Sequence, residues 1–144
     1  MDESWREVVA EWKGENAFLG SNPAGGKVQM GTIGDQTGVS PMELLLIGLA
    51  GCTGIDIVSI LTKKRQSPDK FQVVVRGKRA ETHPKVYTEI QVRYLIWGKG
   101  IEGKAVEQAI QLSEDKYCSA SAMLGKSAQI TSSYQIYTPD EGVK

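Results

Sequence analysis

From Met42 to Leu61 the chain runs through an almost unbroken apolar stretch in which only Glu43 and Asp56 carry charge. Such a run must be covered by something, and its length alone would let it cross a bilayer. An ionised carboxylate at membrane depth costs several kcal/mol, however, and the remainder of the chain is patterned as strands. A buried central helix is therefore the expectation, with no membrane partner. Its start is written in the sequence: Ser40 stands at the N-cap, Pro41 takes the first helical position, and Glu43 comes three residues after the serine. This is the capping-box pattern, with proline placed where its missing N–H costs nothing. The helix should run from Pro41 to about Lys64. Lys63, Lys64 and Arg65 form a solvated end that complements the helix dipole, and Pro68 bars continuation.

Around this helix the periodicity is mostly that of strands. The first 31 residues read as short strands with turns, among them Gly25-Gly26. Gly31 to Ser40 is polar and glycine-rich, and reads as a loop. Phe71 to Arg79 reads as a strand, Thr82 to Lys85 as a turn, and Val86 to Trp97 as a second strand. There Ile90, Val92, Tyr94 and Ile96 alternate with Glu89, Gln91 and Arg93, which gives one buried and one wet face and an antiparallel hairpin. Lys104 to about Lys116 should be helical, with Val106, Ala109 and Ile110 inward. A shorter helix comes next, from Cys118 to Leu124, and a last strand from Ala128 to Tyr137. The class is α+β, and 144 residues fit a single domain spanning 1–144.

Composition removes several kinds of function. Lys plus Arg and Asp plus Glu each number 17, and a zero net charge argues against a nucleic-acid partner, whose binding needs a basic excess. Two cysteines are too few for a disulfide-stapled scaffold or a four-thiolate zinc site. The single histidine, His83, sits beside Pro84 and reads as a turn residue, so neither a metal nor a cofactor is expected. The sequence begins Met-Asp-Glu-Ser-Trp, which is no secretory signal, and the expectation is a cytoplasmic protein. Cysteine chemistry is what remains, or no chemistry.

Gly48, Gly51 and Gly54 recur at three-residue spacing inside the central helix. Each costs up to about 1 kcal/mol relative to alanine, so a close approach by a neighbouring segment should compensate. Cys52 lies beside these glycines, and Asp56 stands one turn later on the same face. Cys118 stands at the start of the short helix, where the partial positive charge of the helix end favours a thiolate. The pair could form a redox disulfide if the fold brings their Cα atoms within about 7 Å. Free cysteines are also often mere small buried hydrophobes.

The run from Ser40 to Asp56, SPMELLLIGLAGCTGID, together with KYCSASAML from Lys116 to Leu124, resembles the OsmC/Ohr superfamily, the osmotically inducible and organic hydroperoxide resistance proteins. The similarity extends from about Trp12 to Tyr137. The resemblance implies an OsmC-like fold, in which antiparallel sheets wrap long central helices in an intertwined homodimer. It also implies thiol peroxidase chemistry: Cys52 matches the cysteine that attacks the peroxide and becomes a sulfenic acid, and Cys118 the one that closes a disulfide. Glu43 matches, with a one-residue displacement, a helical glutamate that pairs with an arginine in characterised members. That arginine has no counterpart in the segment Trp12 to Leu19, which leaves Lys13, Lys27 or Lys116 as the available cations. The implied partners are a small hydrophobic hydroperoxide and a dithiol reductant. The competing expectation is a non-catalytic homodimer that senses redox state or binds a small molecule.

Overall fold

The computed structural model describes residues 4–143, which form two compact parts dividing within the long helix, after Leu45. In the first part, β1 (Val9–Gly14), β2 (Ala17–Ser21) and β3 (Lys27–Met30) make an antiparallel sheet in that order. Its second turn is closed by Asn22, whose Oδ1 accepts the Gly26 N–H at 2.8 Å while Gly25 takes φ +96°. A side chain at Gly25 would strain that turn.

The polar segment after β3 departs from the loop expected there. It forms a small hairpin of β4 (Thr32–Ile33) and β5 (Gln36–Thr37). The Gly31 N–H donates to Val39 O at 3.0 Å, and the Gly38 N–H donates to Gly31 O at 2.9 Å. A Cβ on Gly31 would fall 2.2 Å from the Asn16 carbonyl oxygen. The pairing rests on backbone contact that only glycine permits, so no alternation of side chains announces it. The first turn of α1 (Pro41–Lys63) completes this part. Its capping box is reciprocal: the Ser40 N–H donates to the Glu43 carboxylate at 2.8 Å, and the Glu43 N–H donates to Ser40 Oγ at 3.0 Å.

In the second part, α1 continues to Lys63. β6 (Lys70–Arg79), β7 (Tyr87–Trp97) and β8 (Gln129–Tyr137) form a sheet in that order. The β6–β7 pair is the antiparallel hairpin expected from the sequence, whereas β8 joins β7 in parallel. A parallel neighbour requires a crossover. Here it is built from α2 (Gly103–Leu112), a π-helical turn (Ser113–Tyr117) and α3 (Ser119–Leu124).

The helix expected to reach Lys116 thus leaves α geometry at Leu112, and the Cys118 N–H donates five residues back to Ser113 O at 2.7 Å. The core holds Leu49, Ile57 and Leu61 of α1, Ile90, Tyr94 and Ile96 of β7, and Val106 and Ala109 of α2, all fully buried. Each large apolar side chain among them contributes roughly 1.5–3 kcal/mol. At its end β7 abandons alternation: Leu95, Ile96 and Trp97 are all buried. There Trp97 stacks on Tyr137 at 4.9 Å and its Nε1–H donates to Glu141 O at 2.7 Å, so the C-terminal segment covers the outer face.

The helix α1 is buried along one stripe only. Leu49, Thr53, Ile57 and Leu61 recur every fourth residue and are closed off, while Ile47 is 50% and Ile55 is 74% exposed. The expected burial on all sides is not met within one chain.

Candidate functional site

Cys52 and Cys118 are both free thiols, the first half-buried and the second buried. They are separated by 66 positions in sequence, and the crossover brings them near enough for Cys52 to raise the Cys118 thiol. Two features place Cys118. The π-helical turn inserts one residue relative to an α turn and rotates the segment beyond it. Cys118 then takes an extended backbone conformation as the N-cap of α3, where its Sγ accepts the Ser121 N–H at 3.4 Å. Burial pushes the Cys118 thiol above its ordinary range, the neighbouring Cys52 sulfur pushes it further, and Ser121 offsets part of the rise. The helix-end advantage anticipated for this thiol is therefore outweighed by desolvation. Ser121 Oγ is the buried side-chain oxygen left without a hydrogen-bond partner among the described residues.

The Asp56 carboxylate accepts from the Ser113 hydroxyl at 2.8 Å. Ser113 Oγ is also 2.9 Å from Thr53 Oγ1, which in turn is 2.8 Å from the Tyr94 hydroxyl. Tyr94 donates to the Glu114 carboxylate at 2.7 Å, and the Ser132 hydroxyl donates to the other Glu114 oxygen at 3.1 Å. Burial raises the Tyr94 hydroxyl far above its usual range; Thr53 opposes the shift, and the charges of Glu114 and Cys118 add to it. Sequence reading missed this chain of hydroxyls. Its members stand on α1, β7 and the π-helical turn, and only tertiary contact joins them. A serine, a threonine and a tyrosine at inward positions were the available signal.

Glu43, the third residue singled out from sequence, has its carboxylate engaged by the Ser40 N–H in the capping box. Lys13 is ion-paired with Glu11, and the Lys116 ammonium lies 5.3 Å from the centre of the Tyr117 ring. The three glycines divide. Gly54 packs on Val73 and Phe71 at 3.4–3.5 Å from a notional Cβ, whereas Gly48 and Gly51 meet nothing within 4 Å. The close neighbour expected for them is thus missing within the described residues. In its place lies an apolar cleft of about 640 Å³, lined by Ile47, Gly51, Ile55, Val58, Phe71 and Val73.

Comparison with known proteins locates this architecture. The family described as OsmC-like protein matches residues 34–133. Protein YhfA of Escherichia coli K12 is 38% identical over 131 residues, covering 90% of this chain and 97% of its own. The crystal structure of a hypothetical protein from Aquifex aeolicus superposes with a TM-score of 0.83 at 40% identity, covering 93% of this chain and 97% of that one. An organic hydroperoxide resistance protein OsmC from Legionella pneumophila shares the fold at a TM-score of 0.67 and 14% identity, over 94% of this chain and 99% of its own.

Proposed function

Because the chain belongs to the OsmC-like protein family, we propose that it is a thiol-dependent hydroperoxide reductase working through the Cys52–Cys118 pair. The observation that carries this reading is that the two cysteines are both free and lie near enough for Cys52 to raise the Cys118 thiol. In the first step the Cys52 thiolate attacks the terminal oxygen of a small hydrophobic hydroperoxide. The O–O bond breaks, the alkoxide takes a proton and leaves as an alcohol, and Cys52 becomes a sulfenic acid. Cys118 then attacks the Cys52 sulfur, its proton and the sulfenic hydroxyl leave together as water, and a disulfide closes. A dithiol reductant restores both thiols and is itself oxidised. Glu43 serves by holding the first turn of the helix that carries Cys52.

The raised Cys118 thiol fits the resolving role, since a resolving thiol stays protonated until the sulfenic acid is beside it. The exposed apolar face of α1 supports a homodimer, because a helix apolar on nearly all sides needs cover that one chain leaves out. The setting proposed is the cytoplasm, with neither nucleic acid nor membrane as partner.

A steady-state assay with cumene hydroperoxide and a dithiol, dithiothreitol first and a dihydrolipoyl compound next, tests the proposal. Turnover that disappears in Cys52→Ser supports it. One oxidation per chain without turnover favours the second reading, a redox-sensing or small-molecule-binding homodimer. The specific observation behind that alternative is the absence of any arginine between Trp12 and Leu19.

A further inference from the structure

Cys118 and Ser121 stand one helical turn apart at the start of α3, and both are buried, at 3% and 8% exposure. The Ser121 N–H reaches back to the Cys118 sulfur at 3.4 Å, which puts that sulfur and the Ser121 side chain at the same corner of the crossover. Ser121 Oγ, however, has no hydrogen-bond partner among the described residues. A buried hydroxyl left unpaired is costly, so its place needs a reason. The reason lies in what its neighbour can become. A neutral thiol is a weak acceptor, whereas a thiolate takes strong, charge-assisted hydrogen bonds. In a staggered position gauche to its own nitrogen, a serine oxygen lies on the side where that N–H meets the sulfur.

We propose that the Ser121 hydroxyl is a donor held for the ionised form of Cys118: when the thiol loses its proton, Ser121 grips the sulfur twice, through its N–H and its O–H. The donor is one side chain and not the end of a six-residue helix. Ser121 already works against the rise that burial and Cys52 impose on Cys118, which agrees with this role. The titratable groups facing the sulfur are Cys52 from α1 and Tyr94 from β7, with Glu114 of the π-helical turn hydrogen-bonded to Tyr94. Cys52 opposes charge on that sulfur and Tyr94 keeps its proton, whereas Ser121 favours the anion.

Burial thus keeps Cys118 protonated at rest, and Ser121 makes it easier to ionise when its sulfur must attack. In the reductase cycle that moment is disulfide closure, when the Cys118 proton leaves with the sulfenic hydroxyl as water. This use rests on the reading proposed above, while the grip on the anion does not. Removing the hydroxyl would leave about tenfold less thiolate, each anion about threefold more nucleophilic, so closure would slow only about threefold.

Cys52→Ala makes Cys118 the single thiol. NMR of the whole protein carrying 13C at the cysteine β-carbon then reads its ionisation against pH with no peroxide present. Adding Ser121→Ala should raise the midpoint by about one pH unit, a tenfold loss of thiolate at a given pH. Ser121→Thr, which keeps a hydroxyl, should return it. An unmoved midpoint in Ser121→Ala overturns the proposal, as does an equal rise with threonine, since packing would then be the cause. Should alanine fail to fold there, the Ser121 β-carbon in the Cys52→Ala protein carries the test. Its resonance should shift with the Cys118 midpoint, and a resonance indifferent to it overturns the grip. A raised midpoint in a protein that never turns over hydroperoxide keeps the grip and removes only the reductase reading.

Discussion

The two faces of α1 do not divide into the apolar and polar sides of an ordinary surface helix. The face turned to the sheet carries Thr53 among Leu49, Ile57 and Leu61 and takes part in a polar network, while the face turned outward is apolar at Ile47 and Ile55 and bare at Gly48 and Gly51. Surface helices usually bury the apolar side and wet the polar one. Here both faces are apolar, and what sets the inner one apart is the link that Thr53 adds to partners on β7 and the π-helical turn. The outer face offers an apolar surface close to the backbone at Gly48 and Gly51.

The largest expected effect strikes the outer face. Gly51→Phe places a ring where Gly51 now meets nothing within 4 Å. If a partner copy lies there, light scattering at micromolar concentration should fall from twice the chain mass to the chain mass. An unchanged mass would mean that the face is free.

On the inner face, Ile57→Ala should destabilise by about 2–5 kcal/mol in denaturant unfolding, through lost burial and the cavity left behind. Ile55→Ala sharpens the contrast. At 74% exposure it should cost under about 0.5 kcal/mol in an isolated chain, and more, with dependence on protein concentration, if the face is covered.

Smaller than the loss at Ile57 is that of Ser40→Ala, which removes one half of the capping box and should cost about 1 kcal/mol.

The pH dependence probes the inner face, around which two groups are raised. Cys118 and Tyr94 both hold their protons more tightly folded than unfolded. Their contribution to stability is complete below the unfolded values, about 8.5 for a thiol and about 10 for a tyrosine, and is lost as pH rises beyond them. Thermal unfolding monitored from pH 7 to pH 11 should therefore show stability falling with pH, with a shallower fall above pH 10 in Tyr94→Phe. A Tyr94→Phe profile parallel to that of the wild type would contradict the assignment.

What could be read from sequence and what could not divides along a physical line. The start of α1 was legible because Ser40 and Glu43 act within one turn. The β6–β7 hairpin was legible because both strands carry period-two patterns and a short turn joins them. The β4–β5 hairpin escaped because glycine backbones rather than side chains hold it, and the π-helical turn escaped because its α-like composition conceals one inserted residue. The candidate cysteines were visible as residue types, and their family resemblance assigned them roles. Their adjacency needed the parallel crossover into β8, and the raised Cys118 thiol needed burial that no local pattern encodes. The polar network lay furthest from reach, since Ser113 meets Thr53 across 60 positions and Asp56 across 57.

Mass spectrometry of the folded protein after one equivalent of an organic hydroperoxide addresses the cysteine pair most directly. The expected wild-type product has lost two hydrogens through a Cys52–Cys118 disulfide, and Cys118→Ser accumulates one oxygen on Cys52 instead. Oxidation of Cys118 at the wild-type rate in Cys52→Ser would reverse the roles, and two thiols that remain unchanged would contradict the redox pair altogether.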